Sequence, residues 1–392
     1  MFDSRMTAVL EKLTPATPAV PAIGTREIEA RLEKARALTR DLGADALLIG
    51  PGASLAYFSR LVWGLSERLT ALFLPVTGKP LLICPYFEQG TVNAGLKIEA
   101  ELRPWHEEEC PFALIGSAMR DLGLSKLAVD PALPFAMAHR LGHATGLSLE
   151  EASPVIKACR SRKSPAEIAI LAEAMAMTLR VEKAVPQILH EGISTSDVAA
   201  FIEAAHKKLG SPGSSFVIVQ FGRGTAFPHG LPGVQHLKEN DLVLVDTGCW
   251  LHGYTSDLTR TYCFGKPTDE ERRIWDIEKE AQAAAFAKAG IGVPCEEVDA
   301  AARAVLVRYG LGPDYRLPGL PHRTGHGLGM DVHEDPYIVR GNKTPLDVGM
   351  CFSDEPMIVV PDRFGIRLED DIYITESGPK FFTEPQSDIL TV

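Results

Sequence analysis

A short apolar run that ends in a carboxylate, Leu242-Val-Leu-Val-Asp246, constrains this chain more than any other stretch. Four branched apolar residues in succession read as a strand buried on both faces. A carboxylate in such surroundings costs several kcal/mol unless it is paired, hydrogen-bonded or metal-bound. Asp257 follows in Tyr254-Thr-Ser-Asp-Leu-Thr-Arg-Thr261, with Gly253 available for a turn between the two. On a period-two strand Thr255, Asp257, Thr259 and Thr261 share a face. Two antiparallel strands would then present Asp246 and Asp257 side by side. Taken singly, either acid reads equally as a cap or turn residue.

Further acids stand near the C-terminus. Met350-Cys-Phe-Ser-Asp-Glu355-Pro is an apolar approach to an acidic pair. In Phe364 to Ile374, Arg367, Glu369 and Asp371 alternate with Ile366, Leu368 and Ile372, so the polar three are expected on one face of a strand. Read alone, Arg367 and Glu369 form a same-face ion pair. Between these regions, His322-Arg-Thr-Gly-His326-Gly-Leu-Gly-Met-Asp-Val-His333 concentrates three of the eleven histidines among glycines that allow sharp turns and close backbone approach.

The chain of 392 residues is long enough for about two domains. A net charge of −11 argues against a nucleic-acid surface. No apolar run nears the ~20 residues that span a bilayer. The N-terminus lacks the apolar core of a secretory signal. Seven scattered cysteines, odd in number and without a Cys-x-x-Cys pair, fit reduced thiols in a cytoplasm. Residues 1–24, rich in Pro, Ala and Thr from Thr14 onward, read as a flexible leader. Alternating helices and strands over 25–160 indicate an α/β domain, with a helix over Arg26 to Leu42, a strand at Ala46 to Ile49 and a hairpin about Gly78. Tyr57, Trp63 and Arg68 read as packing and surface residues, or as a loop reaching a substrate cleft. The basic run Lys157 to Pro165 reads as a solvated linker, and Ser164, Pro165 and Glu167 mark a helix start beyond it. Over 161–392, helices from Ile168, Asp197, Asp269 and Cys295 alternate with hairpin-like strands, which favours a curved, mostly antiparallel sheet backed by helices. The fold class is α/β plus α+β.

Jointly, Asp246, Asp257, His326, Glu355 and Glu369 offer four carboxylates and one imidazole, enough charge to balance two divalent cations. Oxygen-rich ligation with one nitrogen suits Mn²⁺, Co²⁺, Fe²⁺ or Zn²⁺. Cys249 and Cys351 read as packing residues. The motifs Asp246-Thr-Gly, Ser256-Asp257-Leu-Thr-Arg-Thr, Thr324-Gly-His326-Gly-Leu-Gly, Asp354-Glu355-Pro and Arg367-Leu-Glu369-Asp, in that order, resemble those of the pita-bread metallopeptidases, which include methionine aminopeptidase, aminopeptidase P and prolidase. Residues 25–160 look like the creatinase/prolidase N-terminal domain of one branch.

The resemblance implies a dinuclear metallo-exopeptidase that cleaves the Xaa-Pro bond of dipeptides, with two divalent ions per chain, Mn²⁺ first among them, and a cytoplasmic homodimer acting on small peptides with proline in second position. It implies Glu355 as proton shuttle as well as ligand, His229 facing substrate, His333 steadying the oxyanion, His322 lining the proline subsite, and Arg367 supporting the metal site or binding a carboxylate. Alternatives are an aminopeptidase P that takes longer peptides, a metal-free amidinohydrolase like creatinase, and a non-catalytic binding protein. Two positions depart from the family pattern: Leu251 stands where a supporting tyrosine is usual, and Tyr337 where some prolidases carry an arginine.

Overall fold

A computed structural model describes residues 2–16 and 19–392. The chain divides into two compact units: Ile23–Arg160, and Ser161–Val392 together with the residues up to Ala22.

In the first unit a six-stranded mixed sheet runs in the order Glu101–Trp105, Leu81–Pro85, Ala71–Pro75, Ala46–Ile49, Leu127–Val129, Leu149–Glu151. The hairpin joins Ala71–Pro75 to Leu81–Pro85. The Thr25–Asp41 helix buries Ile28, Leu32 and Ala35, residues spaced three and four apart on one face. Tyr57 belongs to the packing: it is buried in the Ala53–Ser59 helix, donates its hydroxyl proton to the Cys159 carbonyl at 2.8 Å, and lies under the Arg31 guanidinium. Arg68 sits at the surface in an ion pair with Glu107.

The leader expectation needs correction. Ser4–Glu11 is a helix capped by Asp3, whose carboxylate accepts from the Met6 N–H. Met6, Val9 and Leu13 bury an apolar stripe. Arg5 donates to the Leu189 carbonyl and Arg180 to that of Thr14, each at 2.7 Å, so these residues dock on the second unit. Composition alone hid the stripe; the part of the leader at 17–18 lies outside the described residues. The basic run is likewise not solvated throughout. Lys163 is buried with its ammonium 2.7 Å from Glu334, and Arg162 pairs with Asp347.

In the second unit the described strands pair antiparallel, and an isolated parallel bridge joins Cys263 to Thr391. One sheet places Leu242–Leu251 between Ser214–Phe221 and Leu258–Cys263; a second runs Glu334–Ile338, Gly325–Gly327, Cys351–Asp354, Asp370–Thr375, Gly378–Phe381. Met357–Val360 and Phe364–Arg367 form a separate hairpin. The helices are Pro165–Ala184, Thr195–Lys208, Asp269–Lys288 and Cys295–Arg308. Three of them start in reciprocal capping boxes, Ser164 with Glu167, Ser194 with Asp197 and Thr268 with Glu271. Ile274, Trp275 and Ala302 of the last two helices pack against Phe352, Ile366 and Ile372 of the sheets in one core.

His206 ties the Thr195–Lys208 helix to this frame. Its ring is fully buried, 3.0 Å from the Thr178 hydroxyl and 2.9 Å from that of Ser214. Burial pushes its pKa from 6.5 down to about 4. The unfolded chain therefore binds a proton that the folded one refuses, so stability falls as pH drops from about 6.5 towards 4, by ~3 kcal/mol at most. His206→Gln should flatten the dependence of Tm on pH across that window. An unchanged slope would remove His206 as its source.

Candidate metal centre

Asp246 sits inside the Leu242–Leu251 strand, opposite Ile218 on one side and Thr259 on the other. The strand runs on past the carboxylate because Thr247 to Leu251 keep antiparallel partners. The chain reverses at His252 and Gly253, both with positive φ (53° and 88°), the two-residue hairpin turn that Gly253 signals in the sequence. The expected continuous strand from Thr255 to Tyr262 is broken: Tyr254–Thr255 and Leu258–Cys263 are separate, and Asp257 lies in the gap. Gly248 explains how the break is tolerated. A Cβ at that position would stand 1.8 Å from the Ser256 carbonyl oxygen, so the chain bearing Asp257 packs where no larger residue fits. Gly248→Ala should displace Asp257, lowering divalent-ion affinity at least ~10-fold along with the melting temperature; calorimetric titration with Mn²⁺ checks this, and wild-type affinity would contradict it.

A second break separates Phe364–Arg367 from Asp370–Thr375 and leaves Glu369 between them. The Glu369 N–H donates to the Thr259 carbonyl at 3.1 Å, and the Thr259 hydroxyl donates to the Glu369 carboxylate at 2.5 Å. This cross-sheet bridge corrects the expected shared face of Arg367, Glu369 and Asp371. Arg367 and Glu369 line the cavity, whereas Asp371 is buried behind it. The expected Arg367–Glu369 pair is also replaced. The Arg367 guanidinium meets Asp246 and donates to the Thr259 hydroxyl.

His326 lies in the three-residue strand Gly325–Gly327, beside a register shift. Its Nδ1 is 3.1 Å from the Gly327 carbonyl, which places a proton on Nδ1 and turns Nε2 towards the acids. That Nε2 faces Asp257 at 3.6 Å and Glu355 at 3.1 Å. Glu355 follows the Cys351–Asp354 strand, and its carboxylate accepts from the Ser353 hydroxyl at 3.2 Å. Ligand atoms of Asp257, His326 and Glu369 all lie within 4.8 Å of one another.

All five residues are buried, at most 8% exposed. Burial first, then repulsion from Glu369 and Asp246, pushes Asp257 well above the usual carboxylate range. Burial first, then Glu355 and Asp246, does the same to Glu369. Burial raises Asp246 against the pull of Arg367. Burial also works on Glu355, but contact with His326 and the charges of His322 and Arg367 outweigh it and hold this carboxyl low. Oδ1 of both Asp246 and Asp257 is buried with no hydrogen-bond partner among the described residues. Four converging carboxylates, unsatisfied oxygens and a pre-set imidazole fit cations better than they fit each other.

The same cavity, about 480 Å³, is lined by all five together with His229, His322, His333, Arg323 and Arg367. His322 Nδ1 is 2.7 Å from the Arg323 carbonyl, leaving a buried Nε2 without a partner among the described residues. His333 tilts against His326, with ring centroids 3.9 Å apart. Partial burial, then His326 and Arg323, push its pKa down, so its imidazole is neutral near pH 7. Leu251 is buried and does not line the cavity. Tyr337 stands under the Arg323 guanidinium, 4.4 Å from the ring centroid. Thr259, which the sequence places on the face of Asp257, also belongs to the site, as do Arg323, beside His322, and the apolar lining of Phe216, Ile218, Pro321 and Val332, for which no motif gave a signal.

Residues 169–376 match Metallopeptidase family M24, and 31–162 match the Creatinase/Prolidase N-terminal domain. The probable dipeptidase PepE of Mycobacterium tuberculosis is 38% identical over 364 residues, covering 91% of this chain and 96% of that protein. The crystal structure of dipeptidase PepE from Mycobacterium ulcerans superposes with a TM-score of 0.87 at 36% identity, covering 95% and 100% of the two chains. That of a prolidase from Thermococcus sibiricus gives 0.86 at 33% identity, covering 93% and 99%.

Proposed function

Because the chain belongs to metallopeptidase family M24 and carries a creatinase/prolidase N-terminal domain, we propose that it is a metal-dependent dipeptidase that cleaves the Xaa-Pro bond. The observation that carries this reading is the convergence of Asp246, Asp257, His326, Glu355 and Glu369 on one small cavity, with two aspartate oxygens left unsatisfied. These five would hold two divalent cations, Mn²⁺ foremost, with Co²⁺, Zn²⁺ or Fe²⁺ compatible. Such a pair supplies polarisation of the scissile carbonyl and a water acidified towards neutral pH.

The chain's own groups do the rest. Glu355 accepts a proton from the attacking water and delivers it to the proline nitrogen as the C–N bond breaks. His333, neutral and at the rim, donates a hydrogen bond to the carbonyl oxygen as charge develops there, worth about 3 kcal/mol. His229 faces the substrate from the opposite loop. Phe216, Ile218, Pro321 and Val332 beside His322 give an apolar niche for a pyrrolidine ring. Arg367 neutralises Asp246 and holds Thr259 against Glu369, so it supports the metal site rather than binding substrate. The substrate's tertiary amide has no N–H, so a site that relies on that donor fails with it. A cavity of about 480 Å³ suits a dipeptide. The same reading takes the protein as a cytoplasmic homodimer, in keeping with its scattered, odd-numbered thiols.

Chromatography of Ala-Pro and Ala-Pro-Ala digests with added Mn²⁺ tests the reading. Free alanine and proline from the dipeptide, with slow release from the tripeptide, are expected. Rapid cleavage of the tripeptide with the dipeptide untouched would point to an aminopeptidase P instead.

A further inference from the structure

A dipeptide brings a free carboxylate to within two bonds of the proline nitrogen. It enters a cavity that already holds four carboxylates, so a cation is needed to receive it. Two arginines line the cavity. Arg367 is committed, buried against Asp246 and Thr259. Arg323 is not: no ion pair ties it to a carboxylate among the described residues. Its guanidinium instead lies over the Tyr337 ring, 4.4 Å from the centroid. Stacking of that kind fixes the plane of the fork while leaving its N–H edge open.

We propose that Arg323, held on Tyr337, is the residue that recognises the free C-terminal carboxylate of the substrate and so limits the enzyme to dipeptides. The inference rests on the dipeptidase reading and deepens it. Reach supports it: Arg323 and His326 are three positions apart, so their Cα atoms are at most ~11 Å apart, and the long arginine side chain covers what the extended proline does not. The placement of His322, whose apolar neighbour Pro321 lines the same wall, puts the ring niche directly before Arg323 in the chain. Arg323 would thus close the substrate's C-terminal end, one residue beyond the ring. Tyr337 stands at a position where some prolidases carry an arginine, and here it serves as the platform for a guanidinium supplied by the segment just before the Gly325–Gly327 strand.

The test compares Ala-Pro with its C-terminal amide, Ala-Pro-NH₂, on wild type, Arg323→Gln and Arg323→Lys, with Mn²⁺ in all assays. Wild type is expected to favour the acid over the amide about 10–100-fold in kcat/KM, carried mainly by KM, since a charge-assisted bidentate pair has that worth. In Arg323→Gln the ratio should fall to within about three-fold of one, and Arg323→Lys should recover part of it. A ratio that stays at the wild-type value in Arg323→Gln overturns the assignment, as does a wild type that cleaves acid and amide equally well. A variant that merely misfolds loses both substrates in proportion and keeps the ratio, which also counts against it. Wild type that cleaves neither peptide would instead sink the dipeptidase reading itself.

Discussion

Glu355→Gln is expected to lower kcat on Ala-Pro by about 10²–10⁴-fold with little change in the fold. The carboxylate is buried, held by the Ser353 hydroxyl at 3.2 Å and set 3.1 Å from His326 Nε2. A glutamine fills the same space and can keep the Ser353 contact through its carbonyl oxygen. It cannot accept a proton from water or return one to the proline nitrogen, and it is a weaker ligand. Steady-state kinetics with a thermal melt decide the matter. A kcat within a few-fold of wild type would remove Glu355 from the proton path; a collapsed melting transition would show instead that the residue is needed for folding.

A comparably large effect is expected from the cations themselves. Without them, Asp257 and Glu369 are forced together in a buried site, and burial and mutual repulsion raise both pKa values well above the ordinary range. The sign of the pH dependence follows. A carboxyl raised in the folded state favours folding while protonated, and that contribution is lost as pH rises through its folded pKa. Metal-free protein should therefore lose stability from acid towards neutral pH at this site. Mn²⁺, which competes with those protons, should stabilise most at the higher pH. At about 100 times the dissociation constant the gain is ~2.7 kcal/mol, or roughly 5–10 °C in Tm. Melting curves at pH 5.5 and 8 with and without Mn²⁺ check both size and sign. Asp257→Asn should raise the Tm of the metal-free protein and abolish most of the Mn²⁺ shift. An equal Mn²⁺ shift at both pH values, or one retained in Asp257→Asn, would contradict this account of the site.

Much of the site was legible in the sequence because its cues are local. Leu242 to Val245 can only be a buried strand, Gly253 marks its turn, and Ser164 with Glu167 spells a helix start. What the sequence hid is non-local. The alternation from Ile366 to Ile372 reads as one strand, yet the bridge from Thr259 to Glu369 breaks it, across 110 residues of chain. Arg367 has Glu369 two residues away but pairs with Asp246, 121 residues distant. Asp257 leaves its strand where Gly248 lets its own segment, at Ser256, pack closely. The leader's docking helix escaped notice because Met6, Val9 and Leu13 are few and far apart beside a Pro-rich tail. Arg323 is marked in the sequence only by standing beside His322; that it has no acidic partner among the described residues, and that Tyr337 lies beneath it, shows only in the fold.

In the proposed function, five side chains hold two divalent cations and turn a buried, self-repelling cluster into a peptidase site. Stepwise addition of Mn²⁺ to exhaustively chelated protein, following Ala-Pro hydrolysis against equivalents bound, tests it most directly. Activity should be absent at the start and level off at two equivalents per chain. Hydrolysis that persists undiminished after chelation, or that saturates at one equivalent, would contradict it.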